Sequence, residues 1–230
     1  MKKGFTLAEI LITLGIVGIV AVLSIPSVMK NYKNRMYTAQ LEKVYSQISN
    51  ATSAIMSDEQ VDTFYETKAG ASTAQDATTG EYTAGLPYFL NNYFKAVKKN
   101  CATGDDPCVQ AGVNTYKTIT GTPITGIGDG TYCIQTVNGA AICGFFNPNN
   151  TCMSIVVDVN GLEAPNIAGR DIFSIDIHKN GSLSDYASGC ADNNFGCTAS
   201  QCTTGATTNL YNAACGCLTS VMESGWKMEY

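Results

Sequence analysis

Glu9 is the one charged side chain in an apolar run that extends from Phe5 to Ile25. As an α-helix at ~1.5 Å per residue, this run would be about 31 Å long, which is enough to cross the hydrocarbon core of a bilayer. A carboxylate beside hydrocarbon is costly, and such residues are usually functional. The chemistry open to Glu9 is charge pairing, either with an amine of another chain or with its own amine and helix N-terminus.

A short basic leader, Met1-Lys2-Lys3-Gly4, precedes the run. The segment Gly4-Phe5-Thr6-Leu7-Ala8-Glu9 resembles the processing motif of type IV prepilins and the related pseudopilins. In that family a dedicated membrane peptidase cuts after the glycine and methylates the new amino-terminal residue, usually Phe. The resemblance implies cleavage between Gly4 and Phe5, after which Glu9 would pair with the Phe5 amine of a neighbouring subunit.

The resemblance covers residues 3–30 and includes Gly18 and Pro26, which stand where type IV pilins commonly carry a helix-loosening glycine and a proline. Pro26 lacks a backbone donor, so we expect it to bend or loosen the helix together with Gly15 and Gly18. The two glycines also allow close approach of neighbouring helices. The surface Ile10–Leu23 is therefore predicted to be an interface between subunits.

A secretory signal and a plain membrane anchor both account less well for this segment. A secretory signal is cut after its apolar run at an A-x-A-like site, whereas this run ends Ser24-Ile25-Pro26-Ser27. A plain membrane anchor accounts for the length of the run but gives no reason for Gly4 or Glu9.

Ten cysteines lie in the part of the chain that a pilin exports, and an even number there predicts disulfides. Zinc is disfavoured because no C-x-x-C motif occurs and His178 is the only histidine. We expect five bridges, with Cys101–Cys108 as a local pair and with Cys215 and Cys217 each bonded elsewhere. The ten are Cys101, Cys108, Cys133, Cys143, Cys152, Cys190, Cys197, Cys202, Cys215 and Cys217.

The 230-residue chain has a net charge of −5, and loss of Lys2 and Lys3 leaves 12 basic against 19 acidic side chains, or −7. This balance argues against general nucleic-acid binding, which needs clustered basic residues. The nearest basic cluster, Lys95, Lys98 and Lys99, is interpreted as the solvated face of a short helix. No G-x-S-x-G, H-E-x-x-H or P-loop motif is present, so nothing in the sequence supports an enzyme.

The periodicity predicts an α+β fold in which a long N-terminal helix packs on an antiparallel β-sheet, followed by a disulfide-rich C-terminal loop region. The division is a leader (1–4), a membrane and assembly half-helix (5–29), an amphipathic half-helix (30–57) and a globular head (58–230). The amphipathic half carries one apolar stripe, which needs a domain to lie against. The stripe consists of Leu41, Val44, Tyr45, Ile48 and Ile55.

Residues 66–85 are predicted to be a loop and 187–217 a disulfide-stapled surface loop. A short helix is expected to open at Leu86-Pro87, with Leu90, Phe94 and Val97 on one side. Alternating runs bounded by Asn-Gly turns then predict the sheet. The expected strands are Thr131–Val137, Ala140–Phe146, Thr151–Val159, Asp171–His178 and Leu183–Tyr186.

The Asn138-Gly139 pair predicts a two-residue hairpin turn. In that register Cys143 would face Ile134, and Cys133 would point to the other side of the sheet. The register therefore disfavours a Cys133–Cys143 bridge, which would need a bulge or a longer turn.

No organic cofactor is expected, and the single candidate ion site is a calcium site at Asp158, Asn160 and Asp171. Carboxylate and amide oxygens at this spacing suit Ca²⁺, and some pseudopilins hold calcium in a loop of the head. The competing arrangement is an ion pair between Arg170 and Asp158, within an ordinary Asn-Gly turn.

The main functional hypothesis is a subunit of a type IV pilus-like filament, anchored in the inner membrane as a precursor and then polymerised into a periplasmic or extracellular fibre. Its expected partners are copies of itself or other pilins, the prepilin peptidase and an inner-membrane assembly platform. The alternatives are a pseudopilin of a type II secretion system and a minor tip pilin for adhesion or DNA uptake. Nucleic-acid binding is expected only for the DNA-uptake alternative.

Overall fold

The computed structural model describes residue 4 and residues 6–110, 112, 114–127, 131–146, 152–186, 197–203 and 210–230. The chain forms two compact units, Met1–Met36 and Tyr37–Tyr230. The long helix α1 (Leu7–Glu59) supplies most of the first unit and also the first segment of the second. The predicted long N-terminal helix is thus confirmed over Leu7–Glu59.

The part of α1 in the first unit is apolar and exposed. Its large apolar side chains from Leu7 to Met29 are between 43% and 79% exposed. The helix has a mean hydropathy of 2.5 over its most apolar window, and among the described residues it alone is long and apolar enough to cross a membrane. It is also continuous through Pro26.

In the second unit α1 is amphipathic, because its apolar side chains fall on one stripe. Leu41, Val44, Ile48 and Ile55 are buried, as predicted. Tyr45 is half-buried and meets the Trp226 ring edge-on, with 5.5 Å between ring centroids. The stripe therefore packs into the core of the head.

The head contains one large sheet and several short elements. Its six antiparallel strands lie in the order β10-β9-β8-β7-β6-β3. After α1 the elements are 3₁₀ turns at Phe64–Glu66 and Lys68–Gly70, β1 (Ala74–Gln75), β2 (Tyr82–Ala84), α2 (Gly85–Tyr93), β3 (Ala96–Lys99), β4 (Tyr116–Lys117), β5 (Pro123–Ile124), β6 (Tyr132–Thr136), β7 (Ala141–Phe146), β8 (Cys152–Asp158), β9 (Ile172–His178), β10 (Leu183–Asp185), a 3₁₀ turn at Ala199–Thr203, α3 (Leu210–Ala213) and α4 (Cys217–Glu223).

The five predicted strands, the helix opening near Leu86 and the α+β class are confirmed. Both faces of the sheet are buried, which the sequence analysis did not predict. Met153 and Ile155 belong to the core that contains the α1 stripe. Val156 follows Ile155 on β8 but belongs to a second core. This second core also contains residues of the 101–127 region and of α3.

The predicted helical structure of the Lys95–Lys99 segment is wrong. Helix α2 ends at Tyr93, and Lys98 and Lys99 lie on the edge strand β3 instead of a helix. Val97 is 62% exposed at a break in the register with β6 and does not share a buried face with Leu90. Main-chain pairing with β6 outweighs the weak helical periodicity here, and the irregular edge discourages pairing with other chains.

The prediction against a Cys133–Cys143 bridge is also wrong. The Thr136 N–H donates to the Ala140 carbonyl at 2.8 Å, so the turn contains three residues and not two. Gly139 takes the left-handed conformation, with φ +89°, that such turns require. The extra residue places Cys133 directly opposite Cys143, and the two form a disulfide.

Four disulfides join the eight cysteines whose side chains are described, and none of these is free. The local pair is confirmed, and the last two cysteines do not bond to each other. Cys190 and the side chain of Cys152 fall outside the described part of the chain, so the fifth bridge stays a prediction. The bridges are Cys101–Cys108, Cys133–Cys143, Cys197–Cys215 and Cys202–Cys217.

The described parts of 187–217 are not a surface loop. They contain the Ala199–Thr203 turn, α3 and the first residue of α4, while 187–196 and 204–209 lie outside the described residues. Ala214 and Cys217 are fully buried. The bridges from Cys197 and Cys202 hold this segment in the head, where it completes both cores.

We expect the variant Cys133→Ala/Cys143→Ala to lose about 2–3 kcal/mol of unfolding free energy. The two cysteines are ten residues apart, and closing a loop of that length restricts the unfolded chain by about this amount. Urea unfolding of a soluble fragment, residues 30–230, followed by circular dichroism measures the loss. An unchanged midpoint, with two reactive thiols in the denatured wild type, would contradict the bridge.

Candidate functional site

Thr6 and Glu9 form a capping box at the N-terminus of α1. The Thr6 N–H donates to Glu9 Oε2 at 2.8 Å, and the Thr6 hydroxyl donates to the same oxygen at 2.9 Å. In return, the Glu9 N–H donates to Thr6 Oγ1 at 3.3 Å. Two donors of the first turn, which have no partner within the helix, are thereby satisfied.

The sequence analysis named Glu9 but missed Thr6. The signal was present, because Thr-x-x-Glu before an apolar helix is the capping-box pattern. The Glu9 carboxylate also lies at the positive end of the helix dipole. The structure thus gives Glu9 the intramolecular role that the sequence analysis weighed beside pairing between subunits.

The two oxygens of the Glu9 carboxylate differ in their contacts with the described residues. Both bonds from Thr6 reach Oε2, and Oε1 accepts no hydrogen bond from any residue that the structure describes. Gly4 is exposed, and Phe5 lies outside the described residues. The junction expected to be cleaved is therefore described on its Gly4 side only.

The helix after Glu9 is built for an apolar environment. The Thr13 and Ser24 hydroxyls donate to main-chain carbonyls one turn earlier, at 2.9 Å to Glu9 and 2.7 Å to Val20. Such internal bonds remove polar groups from contact with lipid. A Cβ at Gly15 or Gly18 would have no atom within 4 Å, so both glycines leave open positions on the exposed helix surface. The loosening roles of Gly15, Gly18 and Pro26 stay predictions.

The head brings Asp158, Asn160 and Asp171 together at the ends of β8 and β9. The Val159 N–H donates to the Asp171 carbonyl at 2.8 Å, which places Asp171, the residue before β9, beside the end of β8 at Asp158. Asp158 and Asp171 are at most 1% exposed. The Asn160 N–H donates to Asp158 Oδ1 at 3.3 Å.

Each carboxylate accepts hydrogen bonds from the protein. Tyr116 Oη donates to Asp158 Oδ2 at 3.3 Å. The Asn166 and Ile167 N–H groups donate to the two oxygens of Asp171, both at 2.7 Å. The expected Arg170–Asp158 ion pair is not found, although both residues lie in the described part of the chain. Hydrogen bonds have taken the place of a cationic side chain.

Burial raises the pKa of both carboxyl groups, and the hydrogen bonds offset this rise only in part. It raises the pKa of Asp158 well above its usual range, and the neighbouring Asp171 raises it further. Burial also raises the pKa of Asp171 to about 6, although two backbone N–H groups partly oppose the rise. Burial, followed by the charge of Asp158, raises the pKa of the Tyr116 hydroxyl.

The donor set is compatible with a hard cation. Asn160 Oδ1 and Asn166 Oδ1 are buried and accept no hydrogen bond. Carboxylate and amide oxygens are the donors that calcium prefers. In the part of the chain that the structure describes, no three His, Cys, Asp or Glu side chains group as a metal site. A cation here would therefore depend on amide and main-chain oxygens, and calcium at Asp158, Asn160 and Asp171 stays a proposal.

The comparisons with known proteins place the similarity at the N-terminus. The protein-family model described as the prokaryotic N-terminal methylation motif matches residues 1–25. This motif is the type IV prepilin signature, and the chain carries it. No curated protein and no solved structure matches the chain. The similarity covers Glu9 and its capping box but not the head.

We expect the head to be more stable in mild acid than at neutral pH. Burial raises the pKa of Asp171 and that of Asp185 from the usual 3.8 to about 6. Their stabilising effect is fully present below pH 3.8 and is lost as the pH rises through about 6. For Asp171 the shift corresponds to about 3 kcal/mol.

Thermal unfolding of fragment 30–230 in chelator between pH 4 and 8 measures this dependence. Asp171→Asn should flatten the profile, whereas Asp105→Asn, which changes an exposed carboxylate, should not. A midpoint that rises from pH 4 to 7 in the wild type would contradict the expected direction.

Calcium, if it binds at Asp158, Asn160 and Asp171, should raise the thermal midpoint of the same fragment at pH 7. A ligand that binds only the native state stabilises it, and the effect should grow with pH because calcium prefers ionised carboxylates. The shift should disappear in Asp158→Ala and persist in Asp105→Ala. Equal midpoints in millimolar Ca²⁺ and in chelator would leave Asp158 as a structural turn residue.

Proposed function

We propose that this chain, a membrane-anchored precursor with the type IV prepilin signature, is a structural subunit of a type IV pilus-like filament. The observation that carries the proposal is that the matched segment, residues 1–25, coincides with the exposed apolar part of α1, in which Glu9 is the one carboxylate. The precursor is cut between Gly4 and Phe5 by a prepilin peptidase and then joins other pilins through an inner-membrane assembly platform.

Assembly replaces lipid around the helix by other helices. Because both surroundings are apolar, the hydrophobic effect changes little on transfer, and packing and polar contacts decide the outcome. The exposed surface Ile10–Leu23 supplies the packing, and Gly15 and Gly18 allow close approach. The core of the fibre is then a bundle of N-terminal helices.

Glu9 supplies the polar contact. Cleavage creates a positively charged amine on Phe5, and in low-dielectric surroundings charges attract more strongly than in water. The Glu9 carboxylate of one subunit pairs with the Phe5 amine of its neighbour. This pairing favours one axial register over others that packing alone would allow.

The exported head then forms the surface of the fibre. Its disulfides suit the oxidising side of a membrane. A pseudopilin of a type II secretion system or a minor tip pilin would use the same processing and the same helix. The abundance of the chain in sheared surface filaments separates these from a main pilus subunit.

We expect Glu9→Ala to reduce filament yield strongly while leaving the amount of processed protein unchanged. The substitution removes the carboxylate but not the cleavage junction or any contact of the head. Immunoblots of the sheared filament fraction, divided by total processed protein, give the yield. Thr13→Ala is the matched control, since it removes an exposed polar group one turn further along. Wild-type yield in Glu9→Ala would refute the assembly role.

A further inference from the structure

The two oxygens of the Glu9 carboxylate are not equivalent in the subunit. Thr6 holds Oε2 through both its N–H and its hydroxyl, at 2.8 and 2.9 Å. Oε1 receives no hydrogen bond from the described residues. A carboxylate offers about four acceptor positions, so a bond to Oε1 does not require release of Oε2.

The Thr6 hydroxyl has two functions that a hydrocarbon side chain cannot perform. It donates a hydrogen bond to Glu9 Oε2 and accepts one from the Glu9 N–H at 3.3 Å. These contacts restrict the Glu9 side chain to one orientation along the first turn of α1. A long, exposed glutamate without them would lose more rotamer freedom when a partner binds.

We propose that Thr6 is a positioning residue for filament assembly: it fixes Glu9 so that Oε1 is presented to the Phe5 amine of the neighbouring subunit. This inference rests on the proposed function of Glu9. The capping box persists in the fibre, where Oε2 stays with Thr6 and Oε1 takes the amine. Thr6 therefore promotes assembly and does not compete with the neighbour for the carboxylate.

The test uses full-length protein in cells that make the filaments, with four variants. Thr6→Val keeps the branched shape of threonine but removes the hydroxyl, and Thr6→Ser keeps the hydroxyl. Glu9→Ala and the double variant Thr6→Val/Glu9→Ala complete a cycle. Filament yield is divided by the amount of processed protein, which intact mass distinguishes from the precursor. This ratio removes any effect of a variant on cleavage.

We expect Thr6→Val to lower the yield about fivefold, which is the size of effect that loss of a helix cap produces, and Thr6→Ser to restore it. In the Glu9→Ala background, Thr6→Val should cause no further loss, because there is no carboxylate left to position. A residue that only caps the helix would behave differently. Its bond to the main-chain N–H of residue 9 does not need the Glu9 side chain, so its loss would lower the residual yield by the same factor.

Three outcomes separate the claims. Wild-type yield in Thr6→Val with a low yield in Glu9→Ala overturns the role of Thr6 and keeps the proposed function. An equal loss in both backgrounds also overturns it, because Thr6 would then act on the helix alone. Wild-type yield in Glu9→Ala overturns the proposed function itself.

Discussion

The need to satisfy one carboxylate in an apolar helix constrains the N-terminal unit. Glu9 lies in the first turn of a helix whose large side chains from Ile10 to Met29 are apolar and exposed. In the single subunit the capping box with Thr6 meets part of this need from within the chain. Oε1 accepts no hydrogen bond from the described residues, and it is the oxygen for which we propose a second contact. Two apolar helices can pack against each other in many axial registers. A charge pair forms in one of these registers and therefore distinguishes it from the others.

The head is stabilised by two apolar cores and by disulfides. It buries both faces of a six-stranded sheet, one in the core with α1 and the other in a second core with α3. The bridge between Cys133 and Cys143 lies within the sheet, and the bridges from Cys197 and Cys202 hold the C-terminal segment in place. The cysteines thus add covalent links to a head that already has two apolar cores.

The elements that sequence analysis predicted well are those that a strong local pattern determines. The apolar run predicts α1, and alternation between Asn-Gly pairs predicts β6 to β10. The errors occurred where one residue changes the geometry. A third residue in the turn after Thr136 reversed the prediction for Cys133, and pairing with β6 drew Lys98 into a strand.

The candidate site was half predicted from the sequence. Glu9 is conspicuous because a charge in an apolar run needs a reason, whereas Thr6 is an ordinary residue until its bonds to Glu9 are known. At the head cluster, Asp158, Asn160 and Asp171 do come together, as their positions at strand ends suggested. Their hydrogen-bond partners were not predictable, because the Asn166 and Ile167 N–H groups reach Asp171 only through the folded loop.

The most direct measurement is the intact mass of the main protein in filaments sheared from cells that make this chain. We expect this protein to be the present chain, to begin at Phe5 and to carry one added methyl group. A full-length mass, cleavage after Ser24, or absence of the chain from the filaments would contradict the account.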